Sequence, residues 1–197
     1  MKAKIENPQI LLIGDSIRMG YCAIVKAELD GVADVRYPDG NGCNTQHVLI
    51  SLGSWAKLCS PEETAAVQFN CGHWDVAHWD SEAEPLTSLG EYEHNMERII
   101  TRLRGYFPKA VLIAATTTPM NPSYPPCSCP RTNEEIRQYN AALIRAAEKY
   151  GVRVNDLFGV AEGWDSSCYR DYCHFREPSY LALGKATAEF LRKALDS

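Results

Sequence analysis

Ser16, Asp171 and His174 are the residues of this chain whose types and order could turn a hydroxyl into a nucleophile. Ser16 stands in Gly14-Asp15-Ser16-Ile17, just past the short apolar run Ile10–Ile13, and the other two stand in Asp171-Tyr172-Cys173-His174 near the far end. A serine hydroxyl is a poor nucleophile until a base removes its proton. His174 is the candidate base, and Asp171 is close enough in sequence to fix the imidazole tautomer and stabilise its charged form. On its own, a Gly-Asp-Ser reads better as a helix start with Ser16 as the cap, because Ser and Asp are common caps. The strand before Ser16 and the distant Asp-x-x-His reverse that preference.

Attack by Ser16 creates an oxyanion, which needs preorganised donors. The Ser16 N–H is at a helix start, where N–H groups are free. Gly42 offers a second N–H with no side chain in the way, and Asn70 offers a side-chain amide, although Gly40 and Gly42 also fit simple turn chemistry. Trp74 and Tyr124, with Trp79, His73 and His78, are candidates to line the rim. Aromatic groups there suit stacking on a sugar or gripping an acyl chain, while the two tryptophans fit packing beneath a long loop equally well. Arg18 either meets an anionic substrate group or pairs with an acid.

Five short apolar runs supply the strands that position these groups: Ile10–Ile13, Ala33–Tyr37, Ala65–Phe69, Ala110–Ala115 and Val152–Asn155. Helical spacing follows them over Ser16–Leu29, Thr45–Leu58, Leu89–Tyr106, Thr132–Tyr150 and Pro178–Leu195. Thr132 with Glu135 reads as a capping box. The alternation predicts an α/β fold, a three-layer α/β/α sandwich on a five-stranded parallel sheet, as a single domain over residues 1–197. In such folds the site lies outside the carboxyl ends of the strands. Every unusual loop falls on that rim: Ser16, Gly40–Asn44, Asn70–Asp75, the proline-rich stretch 116–131, and Asp171–His174.

Composition excludes several classes. A net charge of -5, from 20 basic and 25 acidic residues, leaves no footprint for nucleic acid. No apolar stretch is long enough for a membrane span, and Met1–Gln9 lacks the apolar core of a signal peptide, so a cytoplasmic location is expected. The 8 cysteines are then expected to be reduced. Cys127, Cys129, Cys168 and Cys173 could offer four thiolates to zinc, but their spacing is not a usual zinc pattern. Scattered small buried residues are the preferred reading. No metal or other cofactor is expected, and no phosphate-loop pattern follows the first strand.

The motifs resemble those of the SGNH, or GDSL-type, hydrolase superfamily. Gly14-Asp15-Ser16-Ile17 is similar to its first block, and Asp171-Tyr172-Cys173-His174, followed by Phe175 and a closing helix, is similar to its last; the order of elements matches over essentially the whole chain. The resemblance implies a three-layer flavodoxin-like fold and an ester hydrolase with Ser16 as nucleophile. It also implies oxyanion donors from a second-block glycine and a third-block Gly-x-Asn-Asp. Here Trp74 occupies the asparagine's place, and Asn70-Cys71-Gly72-His73-Trp74-Asp75 resembles the branch with a Phe-Asn-x-Gly-x-x-Asp block, leaving Asn70 as the available amide. In Asn41-Gly42-Cys43-Asn44-Thr45, Gly42 is the candidate donor, with Cys43 or Asn44 as alternatives for the glycine's place. The substrates implied are small-molecule esters, most readily small O-acyl groups such as acetyl on a carbohydrate. Alternatives are lysophospholipase, thioesterase or acyltransferase chemistry on longer chains, or a binding module without turnover. Oligomeric state is not readable from the sequence.

Overall fold

The computed structural model describes residues 8–125 and 127–196. The expectation about the N-terminus rests mainly on residues 1–7, which lie outside that range. Five parallel strands, β1 (Gln9–Ile13), β2 (Asp34–Arg36), β3 (Thr64–Phe69), β4 (Val111–Ala115) and β5 (Arg153–Asn155), form one sheet in the order β2-β1-β3-β4-β5. The helices are α1 (Ser16–Glu28), α2 (Thr45–Trp55), α3 (Leu89–Tyr106), α4 (Asn133–Lys149), the short α5 (Leu157–Ala161) and α6 (Glu177–Leu195).

The sheet order decides the layers. From β1 the chain steps one way to β2 and then returns past β1 to β3, β4 and β5. Right-handed crossovers therefore put α1 on one face and α2, α3 and α4 on the other. The strand residues divide accordingly. Leu11, Ile13, Val67 and Phe69 join the core under α2, α3 and α4, whereas Ile10, Leu12, Ala66 and Ile113 join the core under α1 and α6. All five residues of β1 are buried, which is why Ile10–Ile13 reads as an unbroken apolar run rather than an alternating one. The reversal of direction between β1 and β3 opens a crevice at their carboxyl ends. Ser16 follows one of these strands and Asn70 the other.

Thr132 and Glu135 form the expected capping box at α4, and Ser88 with Glu91 forms a second at α3. The run expected to be helical to Leu58 leaves α-geometry after Trp55 and ends in a 3-10 turn, Ala56–Leu58. The five-residue α5 is too short to leave a helical period in the sequence. Among the described residues no helix is long and apolar enough to cross a membrane.

Candidate active site

At the end of β1, Asp15 takes the cap of α1, its carboxylate accepting the Ile17 N–H at 2.9 Å. Ser16 is then the first helical residue and not the cap, so its hydroxyl is free of local backbone duty. Its Oγ lies 2.7 Å from His174 Nε2. Glycine precedes Asp15 because nothing larger fits: a Cβ on Gly14 would stand 2.0 Å from Asn70 Oδ1 and 2.7 Å from Arg18 Cβ.

His174 is held by the turn that carries it. Asp171 Oδ1 accepts the backbone N–H groups of Cys173 (3.1 Å) and His174 (2.8 Å), and the carboxylate meets His174 Nδ1 at 2.9 and 3.0 Å. Partial burial pushes the Asp171 carboxyl up, but those two backbone donors and the neighbouring imidazole outweigh it, and the net result is below the usual carboxylate value. An ionised Asp171 favours the Nδ1–H tautomer, which leaves Nε2 with a lone pair facing the serine hydroxyl. The turn is tied in turn to the proline-rich loop: Asn121 N–H donates to Tyr172 O at 2.9 Å and Asn121 Nδ2 to Asp171 O at 3.2 Å. Sequence reasoning missed Asn121; its place two residues after a proline in a long loop gave no signal.

The second loop corrects one expectation. The Gly42 N–H donates to Gly14 O at 2.9 Å, and a Cβ there would stand 2.6 Å from the same oxygen. Gly42 is glycine because it packs on the Gly14 backbone, and its N–H is not available to an oxyanion. Of the alternatives left open, Cys43 has the left-handed backbone that favours glycine, φ 48°. Its N–H donates to Asn41 Oδ1 at 2.8 Å, while Asn44 caps α2 through the His47 N–H. Asn70 continues β3 with its N–H on Ile13 O, and its amide lies over Gly14 beside the buried Asp15. Asn70 Oδ1 is buried without a partner.

Arg18 is the second correction. It is 1 % exposed, and its guanidinium donates to Pro38 O (3.0 Å), Gly40 O (2.6 Å) and Gly14 O (3.3 Å). Buried in this way it does not reach a substrate, and among the described residues it forms no ion pair with an acid; it clamps the second loop to the first. His73 is also withdrawn from the rim. It is buried, bonds Thr118 Oγ1 through Nε2 at 3.2 Å, and burial, with Arg131 and His174 nearby, drives it well below the ordinary imidazole value. Trp74 and Trp79 are half-buried against each other at 5.1 Å. Tyr124 stands edge-on to Tyr172 at 5.9 Å, and Tyr172 edge-on to His174 at 5.9 Å, so an aromatic path runs from the surface to the imidazole.

All eight cysteines are free thiols. Cys127 and Cys129 have sulfurs 4.0 Å apart, but the four-thiol zinc set is not gathered among the described residues. The group that could hold an ion is instead Asp171, Cys173 and His174. Burial lifts the Cys173 thiol to about 12, so it stays neutral beside the imidazole.

Comparison with known proteins places the chain in a family. Residues 12–181 match the model of the GDSL-like Lipase/Acylhydrolase family. The chain is 25% identical over 185 residues to the GDSL esterase/lipase CPRD49 of Arabidopsis thaliana, covering 85% of this chain and 72% of that protein. In fold it resembles the lipase/acylhydrolase from Enterococcus faecalis, at a TM-score of 0.73 and 18% identity over 94% of this chain and 96% of that one. It likewise resembles the acetyl xylan esterase AlAXEase, at a TM-score of 0.73 and 14% identity over 93% and 99%. With its fold and most of its length accounted for in this way, the chain belongs to the GDSL-like lipase/acylhydrolase family and is a carboxylic ester hydrolase of the GDSL, or SGNH, type.

Proposed function

We propose that this ester hydrolase works through an acyl-enzyme on Ser16, with His174 as general base and then acid, and Asp171 as its orienting partner. The observation that carries this reading is the unbroken hydrogen-bond chain from Ser16 Oγ through His174 to Asp171. Ser16 Oγ attacks the ester carbonyl as His174 Nε2 takes its proton. The tetrahedral intermediate collapses, and the alcohol leaves with that proton. A water molecule, deprotonated by His174, then attacks the acyl-serine and releases the acid, returning the proton to Ser16. The Ser16 N–H, unpaired at the first position of α1, and the Asn70 amide are the proposed oxyanion donors.

The proposed substrates carry small O-acyl groups, such as acetyl on a carbohydrate. The half-buried tryptophan pair and the Tyr124–Tyr172 edge support a flat, sugar-sized partner, as does the likeness to an acetyl xylan esterase. The test is a series of para-nitrophenyl esters of increasing acyl length run beside acetylated sugars, with wild type and Ser16→Ala. Turnover falling with acyl length and lost in Ser16→Ala is expected. A rate that rises with acyl length would move the assignment to longer-chain lipids, and turnover by Ser16→Ala would remove the serine.

A further inference from the structure

Arg131 is a cation beside the site that the reaction leaves unused. It sits at the end of the proline-rich loop, one residue before the cap of α4. Its Nη1 donates to His73 O at 2.7 Å, but its other contacts are weak: Nε to Met120 Sδ at 3.4 Å and Nη2 to Cys173 Sγ at 3.7 Å. Sulfur is a poor acceptor, so of the guanidinium's five N–H groups only the one on His73 O has a strong partner among the described residues. The guanidinium also lies over the Tyr172 ring at 5.2 Å, the same ring that stands 5.9 Å from His174.

The contrast with Arg18 is instructive. Arg18 is sealed in the core with three backbone carbonyls on its guanidinium. Arg131 is only half-buried, and among the described residues no carboxylate forms an ion pair with it. A second cation, Arg170, lies at the turn itself, its Nε 3.7 Å from Asp171 Oδ2. A planar, permanently charged fork stacked on a tyrosine and left without a counter-ion is suited to a carboxylate.

Resting on the serine mechanism above, we propose that Arg131 and the Tyr172 face form a carboxylate subsite beside His174, so that the ester substrates carry an anionic group. The carboxylate belongs either to the acyl part, as in a half-ester of a dicarboxylic acid, or to the alcohol part, as in an O-acylated uronate or hydroxy acid. The same fork serves both, and the test separates them.

Wild type, Arg131→Gln and Arg131→Lys are compared on two matched pairs. Mono-para-nitrophenyl glutarate against para-nitrophenyl hexanoate places the charge on the acyl side. Para-acetoxybenzoate against para-acetoxybenzamide places it on the alcohol side. Uncatalysed rates are subtracted. In at least one pair wild type should favour the anionic ester, and Arg131→Gln should lose about tenfold or more in kcat/KM on that ester alone, the scale of one charge-assisted bond. Arg131→Lys should fall between, and the preference should shrink as salt is raised. Equal losses on both members of both pairs would make Arg131 a structural clamp like Arg18 and overturn the subsite. A readout free of turnover is calorimetric binding of glutarate and para-hydroxybenzoate to Ser16→Ala protein. At least one should bind and be lost when Arg131→Gln is added; binding of neither, or binding unchanged by Arg131→Gln, would also overturn it. Neutral esters hydrolysed normally with no Arg131-dependent preference would remove the subsite and leave the serine mechanism standing. Failure to hydrolyse any ester would strike that mechanism instead, and calorimetry would still decide the subsite.

Discussion

Asp15 and Ser16 divide two duties that adjacent residues at a helix start can confuse. Asp15 satisfies the Ile17 N–H, which frees the Ser16 hydroxyl for His174. Asn70 and the Ser16 N–H act, in the proposed scheme, on charge present only in the transition state. Asn70→Ala should therefore lower kcat by roughly 100-fold or more with little change in KM; steady-state kinetics showing near-normal kcat in a stable variant would remove Asn70 and leave the role to the Ser16 N–H. Ser16, Asp171 and His174 were legible because their roles depend on residue type and order. The roles of Arg18 and Gly42 were not: one is fixed by carbonyls 20 or more residues away in sequence, the other by a backbone contact with Gly14. Arg131 was silent for the same reason, since its charge acquires meaning only from the turn it is folded against.

Elements place these residues through a few polar ties. The most telling is Asp75 after β3, whose carboxylate accepts both the N–H and the hydroxyl of Thr45 at the start of α2. Burial lifts its carboxyl to about 6 from an ordinary 3.8. Between those values the folded protein holds a proton that the unfolded chain has released, so stability falls as pH rises through that window. The shift corresponds to about 3 kcal/mol at most. Asp75→Asn removes the titration. Urea unfolding from pH 4 to 7 should show the variant gaining on wild type as pH rises, whereas a constant difference would mean that Asp75 is not desolvated as the structure has it. At α4, Thr132→Ala should cost about 1 kcal/mol by the same measurement at fixed pH, as loss of a capping side chain does. Strands and long helices were readable because burial on both faces or on one stripe leaves a period in the sequence. The short α5 and the turns between Asp75 and Ser88 leave none.

At the scale of the whole molecule, a sheet buried on both faces holds the crevice rim to one geometry. Leu11 and Leu12 are both fully buried, but they point into opposite cores. Either one changed to Ala should cost about 2–5 kcal/mol, and thermal unfolding should show the two variants similarly weakened. A mild effect of one alone would mean that the layer on that face is loosely packed. The central claim, that Ser16 is the acylated nucleophile, is tested most directly by intact-protein mass spectrometry after reaction with a fluorophosphonate, followed by peptide mapping. One adduct per chain, on Ser16, absent from Ser16→Ala and strongly slowed in His174→Ala, is the predicted result; an adduct that persists in Ser16→Ala, or maps to another residue, would contradict the account.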